Sequence, residues 1–167
     1  NLADVAAMGA RPLALVVALS APAGTDPSVF EQISAGIAER AAADGAVIVG
    51  GDLGRADRLT LAVTAMGAMA PGDAPVLRSG ARPGDVLAIG TERLGRSAAG
   101  LALVLGGKVH VDAAGSISLE DITTPDAADL VRHHDAPEVD LSLGWGAGRT
   151  AHAMMDLSDG LVRDGGR

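Results

Sequence analysis

The chain has 167 residues, of which 48% are hydrophobic, and it carries a formal net charge of −8 and no cysteine. This length and apolar content allow a globular protein with a real core, in one or two small domains. The acidic residues are spread along the chain, which argues against nucleic-acid binding through the phosphates, so a phosphate ligand would need metal ions as intermediaries.

The composition and the apolar runs also exclude cysteine chemistry and a membrane span. Without cysteine there can be no disulfide, thiolate nucleophile or cysteine metal site, which fits a reducing compartment. The longest apolar run, Leu13 to Leu19, is too short for a membrane span of about 20 residues. We therefore predict a cytoplasmic protein. Because the chain begins inside a predicted helix and stops just after the start of another helix, we also expect it to be truncated at both ends.

The first part of the chain is predicted to alternate helices and strands. The predicted elements are a helix at Asn1 to Met8, a strand at Leu13 to Leu19 covered on both faces, a helix from Asp26 to Gly45, a strand at Ala46 to Val49 that ends at Gly50-Gly51-Asp52, and a strand at 59–66. Asp26 suits the start of its helix as the capping residue before Pro27.

The second part follows a segment rich in proline and glycine, Ala70 to Asp85, which is the best domain boundary in the chain. The elements predicted beyond it are a strand at Val86 to Ile89, a helix at Arg96 to Leu105, a hairpin of Val109 to Val111 with Ile117 to Leu119, helices at Asp126 to His133 and Leu141 to His152, and a strand at Ala153 to Met155. This order predicts a mixed α/β fold of two halves, with boundaries at 1–70, 71–85 and 86–167.

Aspartates at predicted strand ends are the most informative chemical feature. Asp52 follows Gly50-Gly51 at the end of an apolar strand, and Asp156 and Asp159 surround the turn after the last strand, with Ser158 between them. Ligands in α/β folds bind at strand carboxyl ends, and carboxylates there can hold Mg²⁺ while helix N–H groups face an anion. The alternatives are a plain glycine turn at Asp52 and an ordinary helix cap at Ser158 or Asp159.

Other patterns carry less information. Asp4 and Arg78 can be read as solvated surface residues, although Arg78 could also offer its guanidinium to a phosphate. Gly106-Gly107-Lys108 lacks the spacing of a phosphate loop, and the glycine string at 146–151 lies in a predicted helix rather than after a strand. The four histidines show no spacing that suits a metal site and are interpreted as structural or solvent-facing.

Five sequence blocks occur in an order and spacing that resemble those of the thiamine-monophosphate kinases. They are NLADVAAMGA at 1–10, GGD at 50–52, RSGARPGD at 78–85, SAAGL at 97–101 and MDLSDGL at 155–161. The resemblance implies a two-domain architecture like that of aminoimidazole ribonucleotide synthetase, and a homodimer joined through the sheets of the first half. It also implies ATP and thiamine phosphate as substrates.

Residue roles also follow from this resemblance. It implies Mg²⁺ ligands at Asp4, Asp52, Asp156 and Asp159, and ATP contacts at a second set of positions, Gly51, Asp52, Arg78 and Ser158. The reaction it implies is in-line transfer of the ATP γ-phosphoryl group to an acceptor oxygen that is already anionic, so no general base or covalent intermediate is needed.

The chain departs from the family pattern at several places. Leu53 stands where the family usually has threonine, and Pro137-Glu138-Val139-Asp140 replaces a stretch that often contains arginine. The family's earlier Gly-Asp-Asp and Ser-Thr-Asp elements and its later thiamine-closing part are missing, which leaves open whether this chain is active by itself. Two alternatives therefore stay open: another ATP-dependent enzyme of the superfamily, or a non-catalytic dimerising fragment that retains nucleotide affinity at most.

Overall fold

The computed structural model describes residues 1–112, 117–119 and 126–166. Its helices are α1 (Leu2–Ala7), α2 (Pro27–Ala43), α3 (Arg96–Leu105), α4 (Ala127–Asp135), α5 (Ser142–Ala147) and α6 (Leu161–Asp164), with a 3-10 turn at Arg78–Gly80. Its strands are β1 (Arg11–Ala21), β2 (Val47–Arg55), β3 (Thr60–Ala68), β4 (Val109–Val111) and β5 (Ile117–Leu119). This mixture of helices and sheets confirms the predicted fold class.

The chain forms two compact units, and each unit consists of two separate stretches of the sequence. The first unit is Asn1–Val86 with Leu141–Asp156, and the second is Leu87–Asp140 with Leu157–Arg167. The boundaries at 1–70, 71–85 and 86–167 stay a prediction. None of the helices within the described ranges is long and apolar enough to cross a membrane.

A three-stranded sheet organises the first unit. Strand β1 lies in the centre, parallel to β2 and antiparallel to β3. Helix α2 connects the two parallel strands, and it begins where predicted because the Asp26 carboxylate accepts a hydrogen bond of 2.8 Å from the Ser28 N–H. Hydrogen bonding from Ser28 also lowers the pKa of Asp26.

The core of this unit lies on one face of the sheet. Leu15 of β1 is buried together with Ala41 and Ala46, and Val17 and Val63 pack against them. Val16, on the opposite face of β1, is exposed. The prediction that both faces of this strand are covered is therefore wrong for the described structure, because the buried cluster forms on the α2 side alone.

Four other elements differ from the predictions. Strand β2 continues through its glycines to Arg55, because its pairing with β1 continues as far as Ala21. The strands predicted at 86–89 and 153–155 do not form; within the described ranges they have no pairing strand, and Val86 is 90% exposed. Helix α5 is shorter than predicted and ends at Ala147, consistent with the helix-weakening effect of its glycines.

The second unit is built on two packed helices. Gly100 of α3 lies against the Leu130 carbonyl of α4, so that a Cβ at this position would meet backbone. Val131 on α4 is fully buried, and the Ser97 hydroxyl lies 2.9 Å from His134 Nδ1. Strands β4 and β5 form the predicted antiparallel hairpin.

Candidate functional site

Asp52 lies within strand β2 and not at its end. It pairs with Ala18 of β1, whereas the neighbouring Gly51 pairs with Val17. Since Val17 faces the buried cluster and successive residues of a strand point to opposite faces, Asp52 and Ala18 face away from α2. The carboxylate is exposed on the uncovered face of the sheet. The prediction that Asp52 lies at the end of its strand is therefore wrong, although its side chain is accessible to a ligand.

The two glycines before Asp52 differ in how much space a side chain would have at each position. A Cβ at Gly51 would collide with the backbone carbonyl of Val17, whereas a Cβ at Gly50 would meet nothing within 4 Å. The close approach of β1 is therefore what requires glycine at position 51. Gly50 is the position where the missing side chain leaves open space beside the backbone.

Asp4 projects from the exposed side of α1, where its side chain is 69% exposed. The opposite side of the helix is fixed by Ala6, which is buried, and by Gly144 of α5, whose backbone packs against the Ala6 carbonyl. Helix α5 is in turn held near β1 by Arg11, whose guanidinium carbon lies 5.4 Å from the centre of the Trp145 ring. The helix that carries Asp4 is thus positioned by contacts on its other face.

Arg78 is exposed in the 3-10 turn of the first unit. Val76, just before it, is buried and donates its N–H to the Met8 carbonyl at 3.0 Å. Gly80, at the end of the turn, packs against the His152 carbonyl so closely that a Cβ would collide with it. The turn is therefore fixed on both sides of Arg78, while the guanidinium group itself is accessible to a ligand.

Asp85 closes the loop that follows this turn. Its Oδ2 accepts a hydrogen bond of 2.8 Å from the Arg82 N–H, and its Oδ1 lies 2.8 Å from His152 Nδ1. The Arg82 N–H, followed by the His152 side chain, lowers the pKa of the Asp85 carboxyl group. A shallow cavity of about 340 Å³ lies beside this loop, lined by residues from 74–82 and by Gly148, Ala151 and His152.

The turn at 156–160 does not contain the ordinary helix cap that was the alternative interpretation. Helix α6 begins after Gly160, which has a φ of 97°, and no side chain caps it. Ser158 is exposed, and the side chain of Asp159 is 39% exposed with its Oδ2 3.5 Å from Arg163 Nε. The Asp159 N–H donates to Asp164 Oδ2 at 2.8 Å. Asp156 belongs to the first unit, and Ser158 and Asp159 belong to the second.

No three histidine, aspartate or glutamate side chains come close enough to hold a metal ion in the parts of the chain that the structure describes. The predicted Mg²⁺ ligands, Asp4, Asp52, Asp156 and Asp159, therefore do not form such a group of three. Their role stays a prediction, as do the nucleotide contacts at Gly51, Asp52, Arg78 and Ser158.

Three residues that hold these turns were given no role in the sequence analysis: Asp85, His152 and Asp164. Asp85 and His152 contact each other across 67 positions, so no local pattern could reveal the pair. Asp164 is buried, with 2% of its surface exposed. The one sequence signal for Asp164 is its position three residues after Leu161, on the apolar side of a short helix.

Comparison with known proteins identifies relatives along almost the whole chain. The family described as AIR synthase related protein, N-terminal domain, matches residues 1–69. The thiamine-monophosphate kinase of Mycobacterium tuberculosis is 44% identical over 165 residues, which are 98% of this chain and 44% of that protein. The thiamine-monophosphate kinase of Corynebacterium glutamicum is 39% identical over 166 residues, covering 98% of this chain and 46% of that protein. The chain thus spans about half the length of the curated relatives it matches.

Solved structures give the same result for the fold. A crystal structure of thiamine monophosphate kinase from Aquifex aeolicus covers 99% of this chain with a TM-score of 0.77 and 26% identity, and the chain covers 50% of it. A structure described as AaThiL complexed with AMPPCP and TMP matches with the same TM-score of 0.77 and 26% identity, over 99% of this chain and 48% of that one.

Proposed function

We propose that this chain belongs to the thiamine-monophosphate kinase family and carries part of an enzyme that uses ATP to phosphorylate thiamine phosphate to thiamine diphosphate. The observation that carries the proposal is similarity to such kinases over 98% of the chain, including the M. tuberculosis protein at 44% identity. A structure of the same fold is described as complexed with AMPPCP and TMP, which are compounds related to the two proposed substrates. Because the chain spans about half of its relatives, the activity is proposed for the full-length gene product.

The donors available for Mg²⁺ are of the right chemical type. Magnesium prefers hard oxygen ligands and is usually held by one or two carboxylates, with water and substrate phosphate oxygens completing its shell. A cluster of three carboxylates is therefore not required for it. Asp52 is accessible on the open face of the sheet, and Asp159 is partly exposed next to α6. We assign Mg²⁺ binding to these two residues together with Asp4 and Asp156.

The nucleotide contacts are assigned to groups that stay accessible while their backbone is fixed. Arg78 presents a guanidinium group from a turn that is held by Val76 and Gly80, and such a group can bind a phosphate through two parallel hydrogen bonds. Ser158 offers an exposed hydroxyl. Gly51, whose backbone lies in β2 beside Asp52, completes the proposed ATP contacts.

The chemistry proposed for these residues is positioning and charge neutralisation. The acceptor is a phosphate oxygen that is already anionic, so none of the side chains has to act as a general base. The main obstacle is repulsion between two polyanions, and Arg78 offsets part of it from the protein side. When bound, Mg²⁺ would supply the remaining neutralisation. The aspartates would hold the metal, and in this way an acidic protein could act on phosphates.

A homodimer fits the exposed apolar edge of the sheet. Strand β2 is exposed along its whole length, and Val49 and Leu53 are 58% and 66% exposed. Exposed edge strands with apolar side chains are normally covered by another chain or segment. We propose that a second copy covers this edge, with residues 1–70 as the dimerising and ATP-binding domain, 71–85 as the linker and 86–167 as part of the second domain. A cytoplasmic location completes the proposal.

The test is turnover by the full-length gene product with ATP, Mg²⁺ and thiamine phosphate, measured as thiamine diphosphate by chromatography. Asp52→Asn and Asp156→Asn are expected to reduce turnover strongly, because each removes a charged ligand. Asp57→Asn is the matched control, since Asp57 is an exposed aspartate in the turn after β2. Unchanged turnover in both site variants would remove the metal assignment.

The same experiment separates the two alternatives. If thiamine phosphate is not converted, but another phosphate acceptor of the superfamily is, the substrate assignment is wrong and the fold assignment stands. If the 167-residue chain converts thiamine phosphate by itself, the reading as a non-catalytic fragment is eliminated.

A further inference from the structure

Asp164 is the one buried charged side chain among the residues that the structure describes, with 2% of its surface exposed. Aspartate is rarely buried to this degree unless its oxygens have specific partners, because removing a carboxyl group from water is costly. Its Oδ2 accepts a hydrogen bond of 2.8 Å from the N–H of Asp159. The buried carboxyl group therefore serves the turn that precedes its own helix.

A second bond closes the same turn from the opposite direction. The N–H of Asp164 donates to the Gly160 carbonyl at 2.9 Å. Asp164 is therefore hydrogen-bonded to the turn twice, through its side chain to Asp159 and through its backbone to Gly160. Gly160 sits at a φ of 97° and a ψ of 153°, a region open almost solely to glycine. Since glycine can also adopt many other conformations, this peptide needs an external constraint to hold its orientation.

We propose that Asp164 is a positioning residue for Asp159. By accepting the Asp159 N–H, it fixes the backbone of the residue whose carboxylate would hold a divalent cation. This inference rests on the proposed function of the 156–160 turn. Groups that orient a metal ligand without touching the metal typically contribute about 10-fold to 100-fold in metal affinity.

The contacts of Asp159 support this division of roles. Its backbone is held by Asp164, whereas its side chain stays 39% exposed and has Arg163 Nε 3.5 Å away. The side chain is thus accessible to a ligand while its attachment point is fixed. Asp164, which is fully enclosed, cannot itself reach a cation in the solvent.

The experiment measures Mn²⁺ affinity of the full-length gene product by electron paramagnetic resonance, in the presence of a non-hydrolysable ATP analogue. Asp164→Ala is expected to weaken Mn²⁺ binding by about 10-fold or more. Asp164→Asn keeps an acceptor oxygen and is expected to retain most of the affinity. Asp129→Asn is the matched control, because Asp129 is an exposed aspartate of the same unit and is expected to leave Mn²⁺ binding unchanged.

Amide hydrogen exchange of Asp159 gives a readout that does not depend on activity. Exchange should be slow in the wild type and Asp164→Asn, and faster in Asp164→Ala. Fast exchange in the wild type would overturn the proposal even if Asp164→Ala failed to fold.

Asp159→Asn separates the two ways in which the Mn²⁺ experiment can fail. If Asp159→Asn weakens Mn²⁺ binding and Asp164→Ala does not, the positioning role is refuted and the proposed metal site stands. If neither substitution changes Mn²⁺ affinity, the metal assignment of Asp159 and the role of Asp164 are both wrong.

Discussion

Replacing each of the two adjacent glycines of β2 by alanine should give opposite results. At Gly51 the new Cβ would overlap the Val17 carbonyl oxygen and lie 2.9 Å from its carbon and 3.2 Å from its nitrogen. All three are backbone atoms of the central strand, so no side-chain rotation can relieve the contact. At Gly50 the new Cβ would meet nothing within 4 Å.

The magnitudes follow from this difference. Overpacking that requires backbone shifts typically costs about 1–3 kcal/mol, so we expect Gly51→Ala to lower the free energy of unfolding by about 2 kcal/mol. For a unit of the size of the first one, where 1 kcal/mol shifts Tm by about 4–8 °C, that corresponds to a fall in Tm of roughly 8–16 °C. Gly50→Ala should instead be neutral or raise stability by up to about 1 kcal/mol, because alanine reduces the entropy of the unfolded chain.

The assay is thermal unfolding of the two variants and the wild type, combined with the KM for ATP. If Gly50 leaves space for a phosphate to approach the backbone, Gly50→Ala should raise the KM for ATP while its Tm stays close to that of the wild type. Equal Tm values for Gly50→Ala and Gly51→Ala would refute the argument from the close approach of β1.

Three further predictions concern stability. Since the pKa of Asp85 is lowered in the folded state, its contribution should be fully present above the ordinary value of 3.8 and lost as pH falls through the folded pKa; the Tm difference between wild type and Asp85→Ala should accordingly shrink in acid, and a constant difference would contradict this. Asp26→Ala should lower the urea midpoint of unfolding by leaving the Ser28 N–H without its cap, whereas Asp57→Ala should leave the midpoint unchanged. Val131→Ala should cost about 1–3 kcal/mol by calorimetry, because the side chain is fully buried, and a smaller loss would show that the second unit repacks around the gap.

Local signals predicted most of the elements well. The helix at Arg96–Leu105 and the strands at Val109–Val111 and Ile117–Leu119 have the predicted bounds, and Asp26 caps α2 as expected. These elements depend on apolar periodicity and on capping by neighbouring residues, which are properties of short stretches of sequence.

The failed strand predictions share a dependence on distant partners. The strands expected at 86–89 and 153–155 do not form, since a strand is stable only beside another strand. Asp52 was expected at a strand end, but pairing with β1 carries β2 on to Arg55. The sequence of one strand does not reveal how far the strand that pairs with it extends.

The order of the motifs and the resemblance to a kinase family could be read from the amino-acid sequence alone, because each is carried by residue identity and spacing along the chain. Tertiary structure decided that Asp52 faces the open side of the sheet, that Gly51 makes room for Val17, and that Asp164 is buried beneath the Asp159 turn. These facts depend on which residues meet after the chain folds. The contacts of Gly51 and Asp52 join strands that are far apart in the sequence, and the burial of Asp164 depends on the packing around its helix.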